Sequence, residues 1–311
     1  MNLMRSVLLK AADSKWLAHN LPRFAFSRRA VRRFMPGEEL DDALSECGQL
    51  AGRGIGSVIT RLGENITSVS EAHAVRDHYL EALNDIARRS VPTHLSVKLT
   101  QLGLDISLEE TATHMHAIAA ASAEAGAPVW IDMESSRYVD TTLEIFRRTR
   151  AQHENVGLCV QAYLHRTADD LGDLLQTTTA LRLVKGAYKE APDAALQSKK
   201  QVDANYLNLA LQLLEAARTR TVGYMPAFAT HDANLIALIN THAQEMGIPR
   251  DRYEFQMLYG IQTSLQQKLA ADGYRLRVLI SYGSAWFAWY MRRLAERPAN
   301  VWFVAKSVLR S

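Results

Sequence analysis

The sequence predicts an α/β protein of the (β/α)8-barrel class over residues 51–311, with a helical segment over 1–50 packed on it. Two observations carry that prediction. Eight short apolar segments rich in β-branched residues alternate with longer amphipathic stretches. Together they fill the roughly 250 residues that such a barrel needs. A third observation counts against the nearest competitor, an open doubly wound sheet. No GxGxxG follows the first strand, so the dinucleotide-binding form of that fold is disfavoured. No linker rich in Gly, Pro or Ser divides the chain.

In order along the chain, Leu3, Val7, Leu8 and Ala11 form one apolar helix face, and Pro36-Gly37 breaks the run before a second helix from Glu38. The predicted strands are 56–60, 95–99, 129–132, 156–161, 181–184, 225–229, 253–257 and 276–280. Helical patterns between them cover 107–125, 140–150, 168–175, 202–217, 233–246 and 261–271. Ser107 and Glu110 have capping-box spacing, Gly126 suits a helix stop, and Thr167 is placed to cap a helix beginning at Ala168.

In a barrel, chemistry collects where strands end and βα loops begin. The predicted strand ends carry Lys98, Asp132, Gln161, Arg182 with Lys185, Thr230-His231, Gln256 and Tyr282. Each has a structural explanation when taken singly. Lys98 or Lys185 can snorkel, Asp132 can cap a helix, and His231 can be a satisfied core histidine. Together they make a polar, mostly cationic ring on apolar strands, where inward positions should be apolar unless something polar is bound. Many cations, one carboxylate and no activated nucleophile suit an anionic ligand and a large cofactor that performs the chemistry.

Composition narrows the function classes. A net charge of +3 over 311 residues gives no global field for nucleic acid. Cys47 and Cys159 give neither a disulfide framework nor a metal cluster, which fits a reducing, cytoplasmic setting. The arginine-rich run at 23–33 raises a transit peptide, a membrane-surface helix or a nucleic-acid arm. A solvated helix face is the favoured reading, because Glu38, Glu39, Asp41 and Asp42 follow at once. No metal is expected: the histidines lack HExxH or a cysteine at ligand spacing, and His114 and His116 point to different sides of a helix. Neither a GxSxG elbow nor a Walker A loop is present.

The stretch 282–303 reads as a helix after the last strand, with Trp286, Trp289 and Arg293 on one face and an adjacent pair, Arg292-Arg293. Two guanidiniums side by side make a bidentate receptor for a carboxylate or phosphate. The alternative is a surface helix in which Arg292 pairs with Glu296 at i+4 and the tryptophans are core.

Seven blocks in order resemble the proline dehydrogenase family, in its short monofunctional bacterial form. They are SVKLTQLG at 96–103, WIDMESS at 130–136, VQAYLHR at 160–166, LRLVKGAYKE at 181–190, FATHD at 228–232, YEFQMLYG at 253–260, and Tyr282 followed by WYMRRLAERPAN at 289–300. The resemblance implies a distorted barrel with FAD at the C-terminal ends of the strands and a final helix over that face. It makes Lys98 the substrate-site lysine and Asp132 the aspartate that orders the cations. Gln161 falls near the flavin ring, Arg182 at its N5, and Val184, Lys185 and Gly186 in the cofactor-binding VKG, with Gln256 beside them. Thr230 and His231 match the pair at the cofactor's phosphates. Tyr188 and Tyr282 match aromatic walls of a proline pocket and Leu183 its floor, while Arg292 and Arg293 clamp the carboxylate with Glu296 as buttress.

The implied reaction is hydride transfer from C5 of L-proline to flavin N5, giving Δ1-pyrroline-5-carboxylate, the first step of proline catabolism to glutamate. A membrane quinone is the implied electron acceptor, reached by a peripheral contact at the inner face of the cell membrane. Ser284-Ala285 stand where relatives often carry an acidic residue, and Met291 precedes the arginine pair; both bear on pocket size. Two other readings stay open at this point. One is a Schiff-base aldolase using Lys98 or Lys185, and the other a protein that binds nucleic acid or anionic lipid through 23–33.

Overall fold

The computed structural model describes residue 14 and residues 31–63, 66–178, 180–219, 225–287 and 289–291. Its strands are β1 (Gly56–Arg61), β2 (Thr93–Val97), β3 (Val129–Ile131), β4 (Val156–Gln161), β5 (Leu181–Val184), β6 (Ala227–Ala229), β7 (Glu254–Leu258) and β8 (Arg275–Tyr282). Each pairs in parallel with its sequence neighbour, and β8 returns to β1, so the sheet closes into a barrel. Closure leaves no free strand edge among them. The helices are α1 (Leu40–Ala51), α2 (Val69–Arg89), α3 (Leu108–Glu124), α4 (Val139–Arg150), α5 (Thr167–Thr177), α6 (Lys199–Thr219), α7 (Ala233–Glu245) and α8 (Thr263–Ala271).

Strand alternation decides what lies inside. Val58, Trp130, Ala180, Ala227 and Leu279 form a small apolar cluster. Residues of the same parity nearer the strand ends are polar: Ser96, Asp132, Gln161, Arg182 and Gln256. The opposite parity, including Ile59, Val97, Leu158, Leu183, Phe228 and Phe255, joins the helices in the main core. The barrel interior therefore joins a small apolar cluster to a polar layer toward the strand ends.

Boundaries differ from expectation by one or two residues in six of the eight strands, and two of the differences have a clear physical cause. Pro226 has no N–H to donate, so the strand expected from 225 begins at Ala227. The chain expected to stay extended to 99 turns into a short 3-10 helix, Leu99–Leu102, ending on Gly103 at φ 105°. Ser107 caps α3, its hydroxyl accepting from the Glu110 amide at 3.2 Å. Thr167 does not cap α5. It is that helix's first residue, and its hydroxyl donates at 2.6 Å to the Gln161 carbonyl, holding the end of β4.

The segment after β8 lies at the C-terminal rim. Trp286, Phe287 and Tyr290 bury against Val31, Phe34 and Met35 and against Leu62, the residue after β1. Full burial of a side chain such as Phe34 or Phe287 contributes about 1.5–3 kcal/mol. Trp286 Nε1 also donates to Glu38 Oε1 at 2.9 Å, so the aromatic residues of this segment are packing surface for residues 31–38. Among the described residues, no helix is long and apolar enough to cross a membrane.

Candidate active site

Asp132 is the hub of the polar layer. It follows β3, and its amide continues the ladder to the Val97 carbonyl at 2.9 Å, which fixes where its carboxylate sits. Oδ2 accepts from Lys98 Nζ at 3.2 Å, and Oδ1 accepts from Ser96 Oγ at 2.9 Å and from Arg182 Nη2. Arg182 also donates to Ser96 Oγ at 2.9 Å and to Gln256 Oε1 at 3.3 Å. Gln256 in turn donates to Glu254 at 2.5 Å, and Glu254 pairs with Arg277 at 3.3 Å. One network thus spans β2, β3, β5, β7 and β8.

Burial controls the charges in it. Burial alone would push the Asp132 carboxyl up, but the Lys98 ammonium and the Arg182 guanidinium more than offset it, and the net shift is downward. Burial would likewise lower Arg182, and Asp132 leads the interactions that more than restore it. Arg182 also sits 5.1 Å over the Trp130 ring, whose indole N–H donates to His94 Nδ1 at 3.1 Å. Burial, followed by Arg277, Arg182 and Arg275, drives His94 well below the usual imidazole range, so it is a neutral acceptor. Burial raises the nearby Cys159 thiol.

A second polar group lies past β5. Lys185 Nζ donates to Asp203 Oδ1 at 2.5 Å and to Asp232 Oδ2 at 3.0 Å, and Lys199 joins the same two carboxylates. Burial raises Asp232, and its bond to Lys185 leads the effects that bring it below normal. Thr230 Oγ1 accepts from the Asp232 amide at 3.1 Å, and His231 Nε2 accepts from the Leu258 amide at 2.8 Å. Gly186 adopts φ 112°, and a Cβ there would fall 2.2 Å from the Tyr163 ring. Gln161 donates to the Met133 carbonyl at 3.1 Å, while its Oε1 is buried with no hydrogen-bond partner among the described residues.

The structure therefore brings Lys98, Asp132, Arg182 and Gln256 into direct contact, with Gln161 and Val184 on the same strand face. Lys185, Gly186, Thr230 and His231 stand at the adjoining rim, and Tyr188 lies in the exposed loop beyond. Two expected residues are placed elsewhere. Leu183 follows Arg182 on a strand, so it faces the other way; it pairs in register with Phe228, and its carbonyl accepts from Tyr206 of α6. Tyr282 also faces outward, its hydroxyl 2.9 Å from His78 of α2. It lines a separate cavity of about 410 Å³ with Arg61, Gln101 and Ser284. Arg292, Arg293 and Glu296 lie outside the described residues.

Sequence reasoning missed Ser96, Trp130, Glu254 and Arg277 as members of the network. The signal was available: on β7 the polar pair Glu254 and Gln256 alternates with Phe255, which marks a polar inner face.

Comparisons with known proteins agree with the barrel fold. The model of the family described as "Proline dehydrogenase" matches residues 43–306. Proline dehydrogenase 1 of Bacillus subtilis (strain 168) is 38% identical over 99% of this chain and 100% of its own length. Proline dehydrogenase of Deinococcus radiodurans is 36% identical over 90% of each chain. The crystal structure of proline utilization A (PutA) from Bdellovibrio bacteriovorus, inactivated by N-propargylglycine, superposes with a TM-score of 0.81 at 25% identity. That match covers 94% of this chain and 36% of the PutA chain, so this protein spans about a third of that larger one. The family match over most of the chain, together with full-length identity to a curated relative, places this protein in the proline dehydrogenase family.

Proposed function

We propose that this enzyme oxidises L-proline to Δ1-pyrroline-5-carboxylate with FAD as cofactor, the first step of proline catabolism. The observation that carries the reading is Asp132, half-buried and bonded to Lys98, Ser96 and Arg182 at the strand ends of a chain that belongs to this family.

The residues fit a flavin. Gln161 offers a buried acceptor with no partner among the described residues, and Gly186 keeps open a close approach that a Cβ would fill. Gln161, Arg182, Val184, Lys185, Gly186, Thr230, His231 and Gln256 would hold the cofactor. When bound, FAD supplies the hydride acceptor. Lys98, held in place by Asp132, contributes positive charge toward the substrate carboxylate. Arg292 and Arg293, buttressed by Glu296, would clamp it bidentately. Tyr188 would wall the ring carbons and orient C5. Asp132 offsets the repulsion between Lys98 and Arg182 and fixes both side chains.

We further assign electron transfer to a membrane quinone through a peripheral contact, in a cytoplasmic protein whose two cysteines are free and buried. We retain the division into a segment of 1–50 and a barrel domain of 51–311; of the segment only residues 14 and 31–50 are described, and the apolar face expected at Leu3, Val7, Leu8 and Ala11 lies outside the described residues. The aldolase reading is disfavoured, since Lys98 is tied to Asp132 and Lys185 to Asp203 and Asp232, and neither offers a free amine to a carbonyl.

The test is the visible spectrum of the purified protein, followed by anaerobic addition of proline. Flavin bands that bleach with proline are expected. Bands that persist would overturn the substrate, and a colourless protein that takes up no added FAD would overturn the cofactor.

A further inference from the structure

Away from the barrel mouth, α2 and α3 carry His73, Glu110 and His114 to one place. Nε2 of His73 lies 3.6 Å from Glu110 Oε2, and Nε2 of His114 lies 3.7 Å from the same oxygen. One ligand atom from each residue falls within 4.8 Å of the others. The two rings meet edge to face, with centroids 5.1 Å apart.

His114 is the informative member. Its side chain is wholly buried, and Nδ1 lies 2.9 Å from the Leu102 carbonyl. A carbonyl only accepts, so Nδ1 carries the proton and Nε2 presents a lone pair. That Nε2 is buried with no hydrogen-bond partner among the described residues, and it points at Glu110. A buried acceptor without a donor is costly, whereas an imidazole whose other nitrogen donates to a backbone carbonyl is the usual arrangement of a metal ligand. Four-coordinate zinc with bonds of about 2.0–2.1 Å needs ligand atoms roughly 3.4 Å apart, close to the two His–Glu separations.

The scaffold is already drawn together there. A Cβ on Gly103 would lie 3.3 Å from Ala72 of α2 and 3.5 Å from Thr111 of α3. His73 and Glu110 are each about half exposed, with side-chain accessibilities of 43% and 50%, which leaves an entry path and room for water ligands.

We propose that His73, Glu110 and His114 bind one divalent transition-metal ion of the zinc class, clamping α2 to α3. Two imidazoles and a carboxylate suit this class over calcium or magnesium, which take oxygen ligands. Sequence spacing concealed the site because its helical pair is Glu110 with His114 at i+4, and the third ligand comes from another helix.

The test is equilibrium dialysis of untagged, chelator-stripped holoenzyme against micromolar Zn2+, followed by metal analysis, and thermal melting with and without zinc. Wild type and the control His153→Gln are expected to hold roughly one zinc per chain and to melt higher with it. His73→Ala and Glu110→Gln should each bind zinc at least about tenfold more weakly and lose that shift, while melting like wild type without zinc. A wild type that holds no zinc, or zinc retained equally by His73→Ala or Glu110→Gln, would overturn the proposal.

Discussion

Lys98 and Asp132 leave neighbouring strands and meet at 3.2 Å, while the second oxygen of the same carboxylate is taken by Ser96 and Arg182. One acidic group therefore fixes two cations that would otherwise repel each other at the mouth of the barrel. The strength of this arrangement is measurable by removing its centre.

Asp132→Asn leaves the Arg182 guanidinium buried without its counter-charge. Breaking a buried ion pair on one side costs about 3–5 kcal/mol, and a drop of that size in urea unfolding free energy is expected. The Asp132 carboxyl is depressed in the folded protein, so its stabilisation is present above the ordinary carboxylate range and is lost as pH falls through the depressed value. The acid limb of the stability curve should be shallower in Asp132→Asn. A variant that matches wild type at both neutral and acid pH would contradict the hub role.

Arg182→Lys keeps the charge and removes the fork. A lysine is a point donor and cannot reach Ser96, Asp132 and Gln256 together from that position. Proline oxidation should fall by about 10²-fold in kcat, the loss expected when a preorganised donor is removed. Steady-state kinetics with an artificial acceptor would check it, and an unchanged kcat would remove Arg182 from the reaction.

Gly186→Ala places a methyl group against the Tyr163 ring on backbone held at φ 112°. Strain of this kind costs on the order of 1–3 kcal/mol before any steric overlap is relieved. The loop at 184–186 should shift, and the flavin retained through gel filtration should drop well below one per chain. Full flavin content in a normally stable variant would place the cofactor elsewhere.

His78 gives a pH signature. Burial, followed by the Arg61 charge, lowers its pKa from 6.5 to about 4, so the neutral ring faces the Tyr282 hydroxyl. The unfolded chain binds this proton at higher pH than the folded one, so stability present above 6.5 declines as pH falls toward 4. His78→Gln keeps a hydrogen-bonding group beside Tyr282 and cannot titrate. Its stability should be flatter over that window, as read by melting temperature at stepped pH.

Most of the barrel was legible because strand-forming apolar runs and amphipathic helices have different periods, and eight apolar runs alternating with amphipathic stretches admit few packings. The polar layer was legible in part. Lys98, Asp132, Gln161, Arg182 and Gln256 sit near strand ends, where polar residues contradict the apolar pattern. Ser96, Trp130, Glu254 and Arg277 lie within the strands, and only the pairing of the strands makes them neighbours of Arg182. Leu183 and Tyr282 show the reverse case. Their place in a motif suggested a pocket, yet each follows an inward residue and so faces the helices.

The sequence alone determined the fold class, the order of the strands and the residue types at their ends, since local periodicity and propensity encode these. Tertiary structure decided which charges meet. Asp132 reaches Arg182 and Lys98 because barrel closure and parallel register bring distant strand ends to one height, and His73 reaches His114 because two helices pack side by side. Such contacts depend on distances across the fold, which spacing along the chain does not contain.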